Sequence, residues 1–180
     1  TLHDGDTDEA LAHYEGVQRS LLTWESPDSD RSRHLTEALA VVLMHCGRHE
    51  EAEPIFRRMI RVRTETLGPD HFDTLVPLGG LAQALESMGR YDEVLEVCEE
   101  MFASQMRQRD VLTPGVLFNV PKATARIEMF SGRLDRLEEA LGRINRLAEE
   151  LDAPEQLLTP EAQQYARDCA IMNAATAAGD

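Results

Sequence analysis

Four segments of this chain share one pattern: GDTDEALAHY from Gly5, GRHEEAEPIF from Gly47, GRYDEVLEVC from Gly89 and GRLDRLEEAL from Gly132. The glycines stand 42, 42 and 43 residues apart. A fixed period of this length belongs to chains in which one supersecondary unit stacks on copies of itself. The joints keep the same phase, because Pro27-Asp28 precedes Pro69-Asp70 by 42 residues. Before the glycines, Leu39, Ala40 and Leu43 correspond to Leu81, Ala82 and Leu85, one face of a 3.6-residue period. After them, Ala52, Phe56, Met59 and Ile60 correspond to Val94, Cys98, Met101 and Phe102, the stripe of a second helix. Each repeat therefore reads as helix, tight glycine turn, helix and loop.

The boundaries follow from local chemistry. Gly47, Gly89 and Gly132 end the first helix of each pair, where a left-handed residue is needed. Glu50-Glu51 and Asp92-Glu93 place carboxylates at the positive start of the second helix. Pro54 and Pro77 are expected in first turns, where a missing N–H costs little. Pro121 begins or kinks the first helix of the third repeat. Helices are predicted near 6–24, 34–46, 49–66, 74–88, 91–108, 115–131, 134–151 and 160–178. The chain reads as a single all-α domain over 1–180, with a half repeat at 1–30, repeats at 31–72, 73–112 and 113–156, and a capping half repeat at 157–180. In the joint LGPDHFDTL, Gly68 ends one helix, Pro69 prevents its continuation and Asp73 or Thr74 caps the next. Phe72 is expected to seal the seam between pairs, which leaves His71 no catalytic role.

The stretch GRHEEAEPIFRRMIRVRTETLGPDHFDTL followed by GGLAQALESMGRYDEV, residues 47–94, resembles tetratricopeptide repeats of the 42-residue variety. Repeats of this kind occur in kinesin light chains and in some multidomain signalling ATPases. The resemblance implies a right-handed α-solenoid of about eight antiparallel helices that binds a peptide or another protein in its concave face. Kinesin light chains usually carry paired asparagines before the Leu-Ala of the first helix, which help to hold an extended peptide by its backbone. Here the pair is replaced by Gly79-Gly80, and one repeat earlier by Glu37-Ala38.

Stacked repeats leave an inner surface lined by first helices. Counting back from the glycines, its members are His34, Glu37, Val41, Met44 and His45, then Val76, Gly79, Gln83, Glu86 and Ser87. In the third repeat two counts compete. Counting from Gly132 exposes Lys122 and Arg126 but buries Glu128. An extra residue near Ser131 lets Val120, Ala123 and Ile127 pack and turns Phe118 and Met129 towards the groove. The second is preferred, since burying an unpaired Glu costs several kcal/mol, to order of magnitude; Lys122 and Arg126 still flank the groove. Charge reversal at Glu37, Glu86, Lys122 or Arg126 is expected to weaken a partner and leave thermal unfolding nearly unchanged.

Other candidates are weaker. His45 and His49 have metal-ligand spacing, but Gly47 breaks the helix between them, so no metal is expected. Cys98 falls on an apolar stripe and Cys46 beside a turn, which fits packing rather than nucleophilic catalysis. Arg57, Arg58, Arg61 and Arg63 are expected mostly on the outer face of their helix, offsetting Glu96, Glu99 and Glu100 of the next repeat. Trp24 reads as a packing anchor, and the methionines form no single stripe. With no catalytic constellation, neither enzyme activity nor a cofactor is expected.

A formal charge of −15 and a pI near 4.7 disfavour nucleic acid. Residues 1–30 hold eight carboxylates against the single base Arg19. Cys46, Cys98 and Cys169 lie far apart with no CxxC pair, and no membrane-length apolar run or leader is apparent, so a cytoplasmic setting is expected. The chain reads as part of a larger polypeptide. Its expected partner is a protein or peptide held in the groove. The alternative is a regulatory repeat segment that holds an attached enzyme or ATPase domain of the same polypeptide inactive.

Overall fold

The computed structural model describes residues 30–156, 158 and 160–179, and of the first 29 residues only Glu9, Ala12, His13, Gly16 and Arg19. Those five apart, the helix expected near 6–24, the N-terminal half repeat, the acidic start, Trp24 and the Pro27-Asp28 mark lie outside the described residues. The chain divides into two compact units, Thr1–Arg90 and Tyr91–Asp180. Both are helical, with no strand among the described residues.

In the first unit, α1 (Asp30–His45), α2 (His49–Leu67) and α3 (Phe72–Ser87) are joined by tight connections, and α2 packs against both neighbours. Gly47 (φ 72°) closes α1. The N–H of Arg48 reaches Leu43 O at 2.9 Å and that of Gly47 reaches Met44 O at 3.2 Å. This double bond pattern satisfies carbonyls that the helix end would leave unpaired, and it requires the left-handed backbone that glycine adopts without strain. The same pair of bonds recurs at Gly89 (Arg90 to Leu85, 2.9 Å) and at Gly132 (Arg133 to Glu128, 3.2 Å).

The joint LGPDHFDTL is built differently from the expectation in two places. Gly68 does end α2, with φ 92°. The next helix is capped by His71, whose Nδ1 accepts from Asp73 N at 3.1 Å, rather than by Asp73 or Thr74. Thr74 is fully buried and donates its hydroxyl to Gly68 O at 2.8 Å, tying the start of α3 to the end of α2. Phe72 seals no seam: it is 73% exposed.

Pro54 and Pro77 are each the sixth residue of their helix, one turn later than expected. A proline there leaves the carbonyl four residues back without its helical donor. For Pro77 that carbonyl is Asp73 O, and Arg63 Nη1 donates to it at 2.7 Å. The same guanidinium pairs with Glu37 on α1, so Arg63, 19% exposed, is turned inward and not outward.

The core of this unit consists of Leu39, Ala40 and Leu43 of α1, Ala52 and Phe56 of α2, and Leu78, Leu81, Ala84 and Leu85 of α3. Gly80 belongs to it, because a Cβ there would stand 2.5 Å from the Phe56 ring. Its neighbour Gly79 faces open space.

In the second unit, α4 (Tyr91–Arg107) is followed by a short α5 (Pro114–Leu117), α6 (Asn119–Phe130), α7 (Leu134–Glu150), a 3-10 turn (Pro154–Gln156) and α8 (Pro160–Gly179). The helix expected at 115–131 is thus broken at Phe118. Pro121 cannot bond to Leu117 O and its ring crowds that carbonyl, so the regular ladder resumes with Lys122 N to Phe118 O at 3.1 Å. α6 packs on α4, α7 and α8. At Gly132 a Cβ would meet the backbone N of Ala174 on α8 at 2.7 Å, so this glycine also permits close helix approach.

The two adjacent glycines of α3 separate two effects. Each Gly→Ala change gains about 1 kcal/mol of helix propensity, but only Gly80→Ala overpacks Phe56. Gly79→Ala is expected to raise the unfolding midpoint in urea, and Gly80→Ala to be about 1–3 kcal/mol less stable than Gly79→Ala.

Candidate functional site

The first helix of each repeat carries one exposed stripe opposite its buried one. On α3 the exposed positions are Phe72, Asp73, Val76, Gly79, Gln83 and Ser87, all but Asp73 on one stripe, while Thr74, Pro77, Leu78, Leu81, Ala84 and Leu85 are buried. On α1 the exposed positions are His34, Val41 and His45, with Glu37 and Met44 half-buried. The periodicity alone identifies these residues, apart from Phe72 and Asp73. Glu86 is half-buried beside the α3 stripe.

Glu37 does not offer a free charge, because its carboxylate is the partner of Arg63. His34 Nδ1 lies 3.9 Å from the same carboxylate. His45 Nδ1 is held by Val41 O at 2.7 Å. His45 ends α1 and His49 begins α2, so the two imidazoles sit on separate helices with the left-handed Gly47 between. Among the described residues no group of three or more His, Cys, Asp or Glu is placed to hold a metal ion.

In the second unit the direct count from Gly132 is the correct one. The stripe of α6 is Asn119, Lys122, Arg126 and Phe130, all exposed. Phe118 does not face a groove: it is fully buried among Leu137, Leu141 and Ile144, and Met129 packs against that same cluster. That count buries Glu128, and Glu128 is indeed only 4% exposed. It is not unpaired, however, since Arg133 Nε contacts its Oε2 at 2.7 Å and Ser131 Oγ donates to it at 3.4 Å. Lys122 is also engaged: its Nζ donates to Gln156 Oε1 at 2.6 Å and stands 5.7 Å from the Phe118 ring centre.

The second unit also contains a cleft of about 690 Å³ between α4, α6 and α7. Three of its lining residues, Thr124, Glu128 and Ala140, occupy the repeat positions of Leu81, Leu85 and Val97, so smaller or polar side chains leave space that the other repeats fill. Its remaining walls are charged, including Asp92, Glu96, Glu99, Glu139, Arg136 and Arg143. Arg143 binds Glu99 at 2.6 Å, so this carboxylate is neutralised within its own unit. Hydrogen bonding from Arg133 holds the Asp92 carboxyl below its ordinary pKa.

The arginines after Gly89 and Gly132, to which the periodicity assigns no role, reach back one repeat, whereas Arg48 after Gly47 pairs with Glu51 in the first turn of α2. Arg90 pairs with Glu53 near the start of α2, and Arg133 with Asp92 at the start of α4. For Glu53, burial pushes the pKa up, but hydrogen bonds from Arg57 and Arg90 outweigh it and hold the group below its ordinary value. Of the other α2 arginines, Arg57 pairs with Glu53 at 2.8 Å, and Arg58 and Arg61 are exposed.

Residues 30–101 match the tetratricopeptide repeat family. The TPR-like repeats of a Podosopora anserina protein described as a kinesin light chain superpose with a TM-score of 0.68 at 19% identity, covering 96% of this chain and 81% of that one. A single-substitution variant of those repeats gives a TM-score of 0.69 at 20% identity, covering 96% and 80%. Comparison with curated proteins returns no match. The fold is that of a TPR α-solenoid. The family match is confined to residues 30–101, and over the rest of the chain the likeness is one of fold. Among the described residues no helix is long and apolar enough to cross a membrane.

Two ion pairs are expected to matter for stability. Glu37→Lys sets two cations together and should cost about 1–2 kcal/mol in urea unfolding, contrary to the expectation of a neutral surface change. Arg133→Ala leaves Glu128 buried without its cation and should cost about 2–4 kcal/mol. Adding Glu128→Leu, which restores the residue of the other repeats, should recover most of that loss.

Proposed function

We propose that this chain is a non-catalytic protein-binding module whose first-helix faces take a segment of a partner protein. Tetratricopeptide repeats generally serve as protein interaction scaffolds, and the fold is of that kind. The observation that carries the reading is the exposed stripe on α1 and α3. Val41, Phe72 and Val76 are 51%, 73% and 52% exposed there, although both helices have complete buried faces of their own. Apolar side chains that recur along one helix face outside a filled core form the kind of patch that another molecule covers. A protein or peptide fits better than nucleic acid, because the chain carries a net charge of −15 and its exposed stripe on α3 has no cation. A cytoplasmic setting accords with three cysteines that form no disulfide.

The test is selection of binders from a library of random 16-residue peptides displayed against the whole chain. Selected peptides should lose at least tenfold in affinity on Val41→Arg or Val76→Arg, with unchanged circular dichroism, and keep it on Arg61→Ala at the outer face of α2. Binders indifferent to both first-helix changes would refute this surface.

A further inference from the structure

We propose that the cleft of the second unit binds a small aliphatic diamine, with its two ammonium groups on Glu96 and Glu139 and its methylene chain over Thr124 and Ala140. The second helices of consecutive repeats, α4 and α7, line this cleft from either side and are clamped at two levels. Asp92 meets Arg136 at 3.9 Å at one level, and Glu99 meets Arg143 at 2.6 Å at the other. The levels are about 10 Å apart along the helices. Between them α4 offers Glu96 and α7 offers Glu139, a carboxylate on both sides. Neither forms an ion pair among the described residues, whereas Asp92, Glu99 and Glu128, the other carboxylates of the lining, each hold an arginine. Two like charges across one gap oppose the closure that the flanking bridges favour.

The floor of the cleft points the same way. Glu128 is 4% exposed and lines the cleft, yet its contacts with Arg133 and Ser131 both fall on Oε2. Its Oε1 has no partner among the described residues, so a nearly fully buried carboxylate keeps an open acceptor at this wall. Five carboxylates line the cleft against the guanidiniums of Arg136 and Arg143. Counting Arg133 as well, which holds Asp92 and Glu128, two negative charges remain uncompensated. A metal ion does not answer them, because among the described residues no three such groups converge to hold one. The negative charge is spread, so the cation that matches it is spread too. The space of about 690 Å³ is that of a small-molecule site, and it opens where Thr124 and Ala140 replace the larger Leu81 and Val97 of the preceding repeat. With Leu95 they give an aliphatic surface that suits methylene groups. None of these residues belongs to the exposed first-helix stripes, so the site is independent of the binding surface above.

The test is isothermal titration calorimetry of the whole chain with 1,6-diaminohexane at about 0.15 M salt, where diffuse surface attraction is screened. Hexylamine, magnesium chloride and a tetralysine peptide serve as comparisons. The diamine should bind at least tenfold more tightly than any of the three. Glu96→Gln and Glu139→Gln should each weaken it tenfold or more. Thr124→Leu, which fills the cleft as the preceding repeat does, should abolish binding with unchanged circular dichroism. Glu50→Gln, at the exposed start of α2, should change nothing. Equal binding of hexylamine or magnesium would mark a diffuse response to net charge, and preference for tetralysine would mark a basic segment of a partner protein; either overturns the proposal. So does absence of diamine binding, its survival in Thr124→Leu, or its indifference to both Glu96→Gln and Glu139→Gln.

Discussion

The left-handed glycine turn sets the frame for everything else in this chain. At Gly47, Gly89 and Gly132 a positive φ lets two N–H groups fold back on the last helical carbonyls. Those bonds fix the rotation of the helix end, so every residue before the glycine has a set direction. Buried Leu43 and Leu85 stand four residues before their glycines, and so does buried Glu128. The backbone frame enforces the third burial even though the side chain is the wrong polarity for it.

Within that frame, polar side chains repair what the backbone leaves open. Arg63 occupies the carbonyl that Pro77 cannot serve and pairs with Glu37 in the same stroke. Arg133 makes the burial of Glu128 tolerable while also holding Asp92. Such groups are half-buried, where a lost partner costs more than at a free surface and the desolvation is less than in a dry core. The arginines that follow Gly89 and Gly132 are therefore structural, and their reach to an earlier second helix helps to hold successive repeats in phase.

The exposed stripes differ where the buried ones agree. Equivalent positions read Glu37, Gly79 and Lys122 at one level and Val41, Gln83 and Arg126 at the next. A shared fold with dissimilar faces is what a binding array requires, because packing constrains the inward residues and leaves the outward ones free to match a partner. It also means that no residue role can be carried from one repeat to another by phase alone.

Much of this was legible in the sequence. The period, the helix limits to within a few residues, the turn glycines and most of the α1 and α3 stripes follow from local rules, since glycine conformation and 3.6-residue spacing act within one helix pair. The third repeat was misread at Phe118, Met129 and Glu128 because the deciding partner, Arg133, lies across a turn and its pairing cannot be read from spacing. Phe72 was assigned to a seam for the same reason: whether an aromatic at a helix start is covered depends on what packs over it. The sequence by itself determined the repeat, its helices and their inward faces, because those are fixed by contacts a few residues apart. Only the tertiary structure decided which charges are already spent on one another and which of the two α3 glycines the Phe56 ring requires, because both depend on contacts across turns and between helices.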